Sequence, residues 1–150
     1  MRSPMEQQDR KWSRAGLRIA SKTLDPSKIG EMLGLEPTKM HVKGTPRSSR
    51  HTAVWPASMW SLESPLSDSL ALTDHLRFLL DLLEPKKGVL KQLSMDCDID
   101  VFCGFSSGSG QGGFILDSAT LSRLGALGLP LVLDLYPPGP IENETNDSGE

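Results

Sequence analysis

The sequence has few cysteines, few aromatic residues and no long apolar run, and these shortages exclude whole classes of protein. Two cysteines in 150 residues are too few for a fold held together by disulfides. The longest apolar runs, such as Leu131–Leu133, fall far short of the roughly 18 residues that indicate a membrane span. We therefore expect neither a disulfide scaffold nor a membrane-spanning segment.

Neither sign of charge dominates the sequence. Sixteen lysines and arginines stand against nineteen acids, for a net charge of −3, and the isoelectric point is near 5.6. General nucleic-acid binders need a broad excess of Lys and Arg, so nucleic acid is not an expected partner.

The start of the sequence bears on localisation. Met1–Arg14 is charged and has no apolar region typical of a secretory signal. We therefore expect a cytoplasmic protein.

The length and the composition of the two ends predict one domain between two tails. A chain of 150 residues is enough for a single core. Residues 1–15 are polar and basic, and residues 138–150 hold four acids and no apolar periodicity. We expect a disordered basic tail over 1–15, a single α+β domain over 16–137 and a disordered acidic tail over 138–150.

Alternating and helical patterns of apolar residues predict the order β-α-β-α-α-β-β-α-β. The predicted strands are 17–21, 55–63, 96–105, 113–116 and 131–136, and the predicted helices are 26–33, 70–83, about 89–93 and 117–127. This order indicates an α+β two-layer sandwich with a mixed or antiparallel sheet of about five strands and three to four helices.

The segment 39–51, which we call the basic loop, is the one place where charge is segregated. It lacks periodicity and has four lysines and arginines, with no acid between Glu36 and Glu63. Arginines in such a loop can hold a phosphate or carboxylate with two hydrogen bonds, and a tryptophan can stack a base or anchor a partner. The candidate binding residues are Lys43, Arg47, Arg50, His51, Trp55 and Trp60. The alternative interpretation is a solvated loop without function.

Two glycine-rich motifs imitate catalytic or cofactor sites. Gly104–Gly108 spells the G-x-S-x-G pattern of a nucleophile elbow, but all three histidines precede Ser106, the reverse of the order in that fold. Gly108–Gly113 spells G-x-G-x-x-G, but the next residues read as a strand instead of the helix that a dinucleotide site requires. We interpret both motifs as one turn between two strands.

Acidic and apolar residues, two of them cysteines, alternate along the predicted strand 96–105. Asp96, Asp98 and Asp100 begin like a calcium loop, but the required glycine and glutamate are absent at the sixth and twelfth positions. Cys97 and Cys103 would lie about 20 Å apart on a regular strand, too far to form a disulfide. We expect both cysteines in the core, no metal site and no cofactor.

Several motifs together resemble a known bacterial family. They are Leu24-Asp25-Pro26, Leu33–Lys39, Lys43-Gly44 and Trp60–Ser64, followed by the leucine-rich helix that ends at Glu84-Pro85 and the strand through Cys97 and Cys103. In this order they resemble the family known as domain of unknown function 4279, over about Leu17 to Tyr136. The resemblance implies a fold and its boundaries. It implies no catalytic residue, because the family's activity is not established.

Two hypotheses about function follow, and an enzyme is the least favoured class. The first is a small cytoplasmic bacterial protein-binding or accessory protein without catalysis, for example of the immunity type that neutralises a toxin. The alternative is an anion, nucleotide or nucleic-acid binding module that uses the basic loop 39–51. No nucleophile, base and orienting group can be assembled for an enzyme. The oligomeric state stays open.

Overall fold

A computed structural model describes residues 11–50, 52–108 and 111–136. Within these ranges the chain forms five strands and four α-helices in the order β-α-β-β-α-α-β-α-β. The strands are β1 (Trp12–Ser21), β2 (Lys39–His41), β3 (Ser58–Glu63), β4 (Asp98–Ser106) and β5 (Leu131–Leu135). The helices are α1 (Pro26–Leu33), α2 (Leu72–Leu83), α3 (Lys87–Leu93) and α4 (Ser118–Leu127), and a 3-10 turn over Glu84–Lys86 joins α2 to α3. The α+β class is thereby confirmed.

The five strands form one mixed sheet in the order β2-β3-β1-β4-β5. The long strand β1 lies near the centre and is antiparallel to both of its neighbours, β3 and β4. The short strand β2 is antiparallel to β3. At the opposite edge, β5 is parallel to β4, because α4 carries the chain back across the sheet between them.

Local chemistry sets the ends of the helices. The side chain of Asp25 accepts a hydrogen bond from the Ser27 amide at the start of α1, and Gly34 ends that helix with φ of 67°. The same pair of devices bounds α4, where Asp117 is the cap and Gly128, with φ of 72°, is the stop. Glycine adopts this left-handed conformation without steric cost. The predicted starts and stops of these two helices are confirmed.

The core lies between the sheet and the helices. Alternate residues of the strands, such as Leu17, Ile19 and Val101, are buried in one cluster with leucines from all four helices. Trp60 of β3 is completely buried in the same cluster. Because side chains alternate across a strand, the residues between these ones lie on the other side of the sheet. The structure is a two-layer sandwich.

The first strand begins earlier than the sequence predicted. Residues 12–15 were assigned to the N-terminal tail, but they form the start of β1 and pair with β4 from Trp12 opposite Ser106 onwards. The buried side chain of Ala15 continues the alternation of Leu17 and Ile19. Residues 1–10 of the predicted basic tail and the whole predicted acidic tail, 138–150, lie outside the described residues.

The predicted strand over 113–116 is wrong, and the fifth strand lies elsewhere. Residues 113–116 are not paired with any strand, because β4 already has β1 on one side and β5 on the other and offers no free edge. The fifth strand is β2, inside the segment predicted to be a loop.

Of the described helices, none combines the length and the hydropathy that crossing a bilayer requires.

Candidate functional site

The side of the sheet that faces away from the helices is the main candidate surface, and we call it the open face. A shallow groove of about 420 Å³ runs across it. Its lining comes from four strands and from the residue that follows β5. The principal side chains and glycines there are Trp12, Arg14, Gly16, Arg18, Lys39, Ser61, Glu63, Phe102, Gly104 and Tyr136. Aromatic and cationic residues dominate this set, as they do at many interfaces.

Two glycines make room for the groove. Gly16 lies in β1 opposite Glu63 on one side and Phe102 on the other. A Cβ atom at Gly16 would lie 2.9 Å from the Leu62 carbonyl oxygen, closer than such atoms normally approach. A Cβ atom at Gly104 would lie 3.2 Å from the Trp12 ring. Gly16 therefore needs glycine because backbone approaches it closely, whereas a side chain at Gly104 would require the Trp12 ring to shift by a few tenths of an ångström.

Arg18 crosses the middle of the open face. Its Nε and Nη2 atoms donate to the two carboxylate oxygens of Asp100, over 2.9 and 2.8 Å. Its guanidinium also lies 4.1 Å from the centre of the Phe102 ring. The hydrogen bond to Asp100 raises the pKa of Arg18. The charge of Arg18 is thus already compensated within the chain.

A pair of aromatic rings covers the β5 end of the open face. The Trp12 and Tyr136 rings are 5.0 Å apart at an angle of 51°. The Arg14 guanidinium lies 5.0 Å from the Trp12 ring, and the hydrogen bond to Asp134 raises the pKa of Tyr136. Arg14 and Tyr136 are exposed, so this end offers both aromatic surface and a cation to a partner.

The basic loop folds as a hairpin at the other edge of the sheet. The Gly44 amide donates to the Trp55 carbonyl, the Trp55 amide to the Thr45 carbonyl, and the Arg47 amide to the Ala53 carbonyl. We call residues 42–50 and 52–57 the basic hairpin. Its first residue follows β2 directly, so the hairpin extends from the same edge that places Lys39 in the groove.

Trp55 holds the basic hairpin together from within. The His41 ring stacks on Trp55 at 3.6 Å between centroids and 11° between planes. The Arg47 guanidinium lies 4.7 Å from the Trp55 ring. Burial lowers the pKa of His41, and the positive charge of Arg47 lowers it further. The Trp55 ring therefore orients Arg47, and its stacking surface is partly used within the chain.

The structure brings together some of the predicted binding residues and separates one of them. Arg47, Arg50, Lys43 and Trp55 lie on the basic hairpin; the Lys43 ammonium is 3.4 Å from the Lys22 carbonyl oxygen, and Arg50 is exposed. His51 lies outside the described residues. The prediction for Trp60 needs correction, because its ring is 0% exposed in the core and cannot stack on a ligand.

Sequence reasoning missed the residues of the open face. Trp12, Arg14 and Arg18 alternate with the buried residues of β1, and Phe102 continues the alternation of Asp98 and Asp100 in β4. Continuing the alternation of the first strand from residue 17 back to residue 12, and reading Phe102 together with Asp98 and Asp100, would have identified a second, solvent-facing side of the sheet.

A larger groove of about 580 Å³ lies between the start of α2 and the segment 111–117. Three of its polar side chains fasten that segment. The Arg77 guanidinium pairs with Asp117, Thr73 Oγ1 donates to the Ile115 carbonyl, and the Lys11 ammonium donates to the Gly113 carbonyl. We interpret this groove as a joint between helix and loop and not as a binding site.

The serine of the G-x-S-x-G motif is not placed as a nucleophile. Ser106 is the last residue of β4 and is buried, and its hydroxyl oxygen accepts a hydrogen bond from the Gly108 amide. The expected hairpin turn is wrong as well, since the next described element after β4 is the helix α4 and not a returning strand. Ser109 and Gly110 of the second motif lie outside the described residues, and α4 begins only at Ser118.

These features define a two-layer α+β protein with an open sheet face and a cationic hairpin beside it. Residues 10–138 match the family described as domain of unknown function (DUF4279), and the chain belongs to that family. The resemblance inferred from the sequence is thereby confirmed. Comparisons with curated proteins and with solved structures find no match.

Proposed function

We propose that this protein is a small non-catalytic binding protein of the bacterial cytoplasm that holds an acidic protein partner. The partner contacts the basic hairpin and the adjoining open face. One observation carries the proposal: the sheet presents aromatic and cationic side chains on a side that none of the described helices covers. An immunity-type protein, which neutralises a toxin by stoichiometric binding, is the specific form we propose.

Charge complementarity indicates the chemistry of the partner. The segment between Glu36 and Glu63 holds no acid, so the cations of the hairpin have no carboxylate within it. Arg47 is held against Trp55, and arginine and tryptophan are the residues that most often dominate binding energy at interfaces. An acidic partner surface would associate faster with this cationic hairpin and would be favoured over basic competitors.

The test compares matched variants of the full tagged chain in capture experiments from the source bacterium. Arg47→Glu with Arg50→Glu reverses two charges on the hairpin. Lys87→Glu with Lys91→Glu makes the same change on α3, in the helix layer. We expect one protein, in near-equal amount, to co-purify with the wild type and the α3 variant but not with the hairpin variant. A partner retained equally by all three, or no partner at physiological salt, would contradict the proposal.

A second candidate function is the binding of a small anion or nucleotide by the basic hairpin. The observation that favours it is the Arg47 guanidinium, which Trp55 orients at the sheet edge. Titration with inorganic phosphate, nucleoside triphosphates and a short oligonucleotide at low salt should then change the tryptophan fluorescence. The Arg47→Glu variant should abolish the change. A wild-type emission that stays constant throughout would exclude this candidate.

A further inference from the structure

Strand β5 ends the sheet, and its backbone directions can be read from two hydrogen bonds. The Val101 amide donates to the Pro130 carbonyl, and the Tyr136 amide donates to the Phe105 carbonyl. Because backbone groups alternate in direction along a strand, the even-numbered residues of β5 turn their N–H and C=O groups toward β4. The three leucines, Leu131, Leu133 and Leu135, turn theirs toward the outer edge. No described strand lies on that side.

The two edges of the sheet differ in how they are protected. At one edge, β2 has only three residues, includes Lys39, and is followed by the basic hairpin. Short length and charge of this kind prevent strands of other chains from pairing. At the other edge, β5 has five residues and a single charged one. Leu133 is 42% exposed and Leu135 is 64% exposed, so an apolar edge whose outward backbone groups pair with no described strand lies on this side.

We propose that β5 pairs antiparallel with β5 of a second copy of this chain. The two-fold axis passes by Leu133, and the two five-stranded sheets join into one continuous sheet. Leu133 then lies opposite its own copy, and Leu131 lies opposite Leu135 of the second copy. In an antiparallel pair, opposed residues whose backbone groups face each other exchange two N–H···O bonds. Every outward N–H and C=O group of the three leucines is therefore satisfied.

The charge pattern selects this register over its neighbours. With the axis at Leu133, the carboxylate of Asp134 lies opposite Val132 of the second copy. An axis at Asp134 would place two carboxylates directly opposite, which is destabilising. An axis at Val132 would leave the backbone of Leu135 without a partner. The sequence of β5 is therefore complementary to itself in one antiparallel register, as an isologous dimer requires.

The first test is the mass of the full chain in solution, measured by sedimentation velocity over a range of concentrations. We expect a species of twice 16.4 kDa at high concentration. Leu133→Lys would place two ammonium groups opposite each other at the axis and should give a monomer. Met95→Lys is the matched control, because Met95 is 82% exposed in the turn before β4, and this variant should remain a dimer.

The second test reads the register through disulfides. Opposed Cα atoms in such pairs are about 5.5 Å apart, within the range of a disulfide. Under mild oxidation Leu133→Cys should cross-link to itself. The single variants Leu131→Cys and Leu135→Cys should not form a disulfide-linked dimer. The double variant Leu131→Cys with Leu135→Cys should form one, because each new cysteine then lies opposite the other in the second copy. The native cysteines are buried, and burial raises the pKa of Cys103 to about 12. Cross-linking of the wild type under the same oxidation therefore measures the background level of disulfide formation.

Either of two results would overturn the inference. The first is a monomeric wild type at every concentration together with no cross-link in Leu133→Cys. The second is a dimer that persists in Leu133→Lys. The cross-linking series still decides the question if Leu133→Lys fails to fold. The dimer test and the capture experiment can be read separately, because the dimer variants change β5 and the capture variants change the basic hairpin.

Discussion

The imidazole Nδ1 atom of His75 lies 2.8 Å from the hydroxyl oxygen of Ser64. This hydrogen bond ties α2 to the segment that follows β3. Ser64 also accepts a hydrogen bond from the Leu66 amide, so its hydroxyl proton is free to be donated to His75. His75 is 1% exposed, and its Nδ1 atom accepts or donates this hydrogen bond according to which ring nitrogen carries the proton.

Stability should fall in mild acid because of His75. Burial lowers the pKa of His75, and the opposing effects of the Ser67 backbone, Asp74 and Asp68 are smaller. Below a pH of about 6.5 the unfolded chain therefore binds more protons than the folded one, and the free energy of unfolding decreases as the pH falls. We expect urea unfolding to show a smaller decrease for His75→Leu than for the wild type between about pH 7.5 and pH 5.5. Equal decreases would contradict this account.

Substitution by alanine should lower the free energy of unfolding at Gly16 and raise it at Gly125. At Gly16 the new Cβ would lie 2.9 Å from the Leu62 carbonyl oxygen, and Gly16→Ala should cost about 1–3 kcal/mol of unfolding free energy. At Gly125, in α4, a Cβ meets nothing within 4 Å, and Gly125→Ala should stabilise by about 0.5–1 kcal/mol. Urea unfolding of both variants measures the two effects. A Gly16→Ala protein as stable as the wild type would show that β1 and β3 can move slightly apart to accommodate the Cβ atom without any loss in the free energy of unfolding.

The parts of the fold that the sequence predicted well are those that local chemistry determines. The cap residues Asp25 and Asp117 act within three residues of their own helices, and Gly34 and Gly128 adopt their conformation without help from the rest of the chain. The strand β2 differs, since its three residues are a strand only because β3 lies beside them. Pairing between distant segments is not encoded in local periodicity.

The candidate surface was predicted only in part for the same reason. The charge of the basic hairpin is a property of the sequence, but its folding around Trp55 depends on contacts with His41 and Arg47. Trp12 and Tyr136 are 124 positions apart in numbering and meet only because β5 docks parallel to β4. A sequence in isolation indicates which residues alternate, but not which strands lie side by side.

The ion pair at the centre of the open face should contribute modestly to stability. Arg18 and Asp100 make two hydrogen bonds, but 36% and 24% of their side chains are exposed, so water and salt weaken the attraction. A double-mutant cycle with Arg18→Met and Asp100→Asn should give a coupling of about 0.5–1 kcal/mol at low salt.

The longer ion pair between Lys39 and Glu63 provides the comparison for that cycle. Its charged atoms are 3.5 Å apart, and 73% and 49% of its side chains are exposed. The same kind of cycle with Lys39→Met and Glu63→Gln should give a smaller coupling, because exposed ion pairs contribute little. A coupling for Arg18 and Asp100 no larger than this one would show that the bidentate geometry adds nothing.

The stack of His41 on Trp55 should make tryptophan emission depend on pH. Imidazolium quenches indole fluorescence more strongly than neutral imidazole does, and the rings are 3.6 Å apart. Burial and the charge of Arg47 lower the pKa of His41, so the quenching transition should have its midpoint below the ordinary histidine value of about 6.5. Trp55→Phe should abolish the transition and Trp12→Phe should leave it intact. A transition that survives Trp55→Phe would assign the effect to another tryptophan and would remove the evidence in solution for the stacked hairpin.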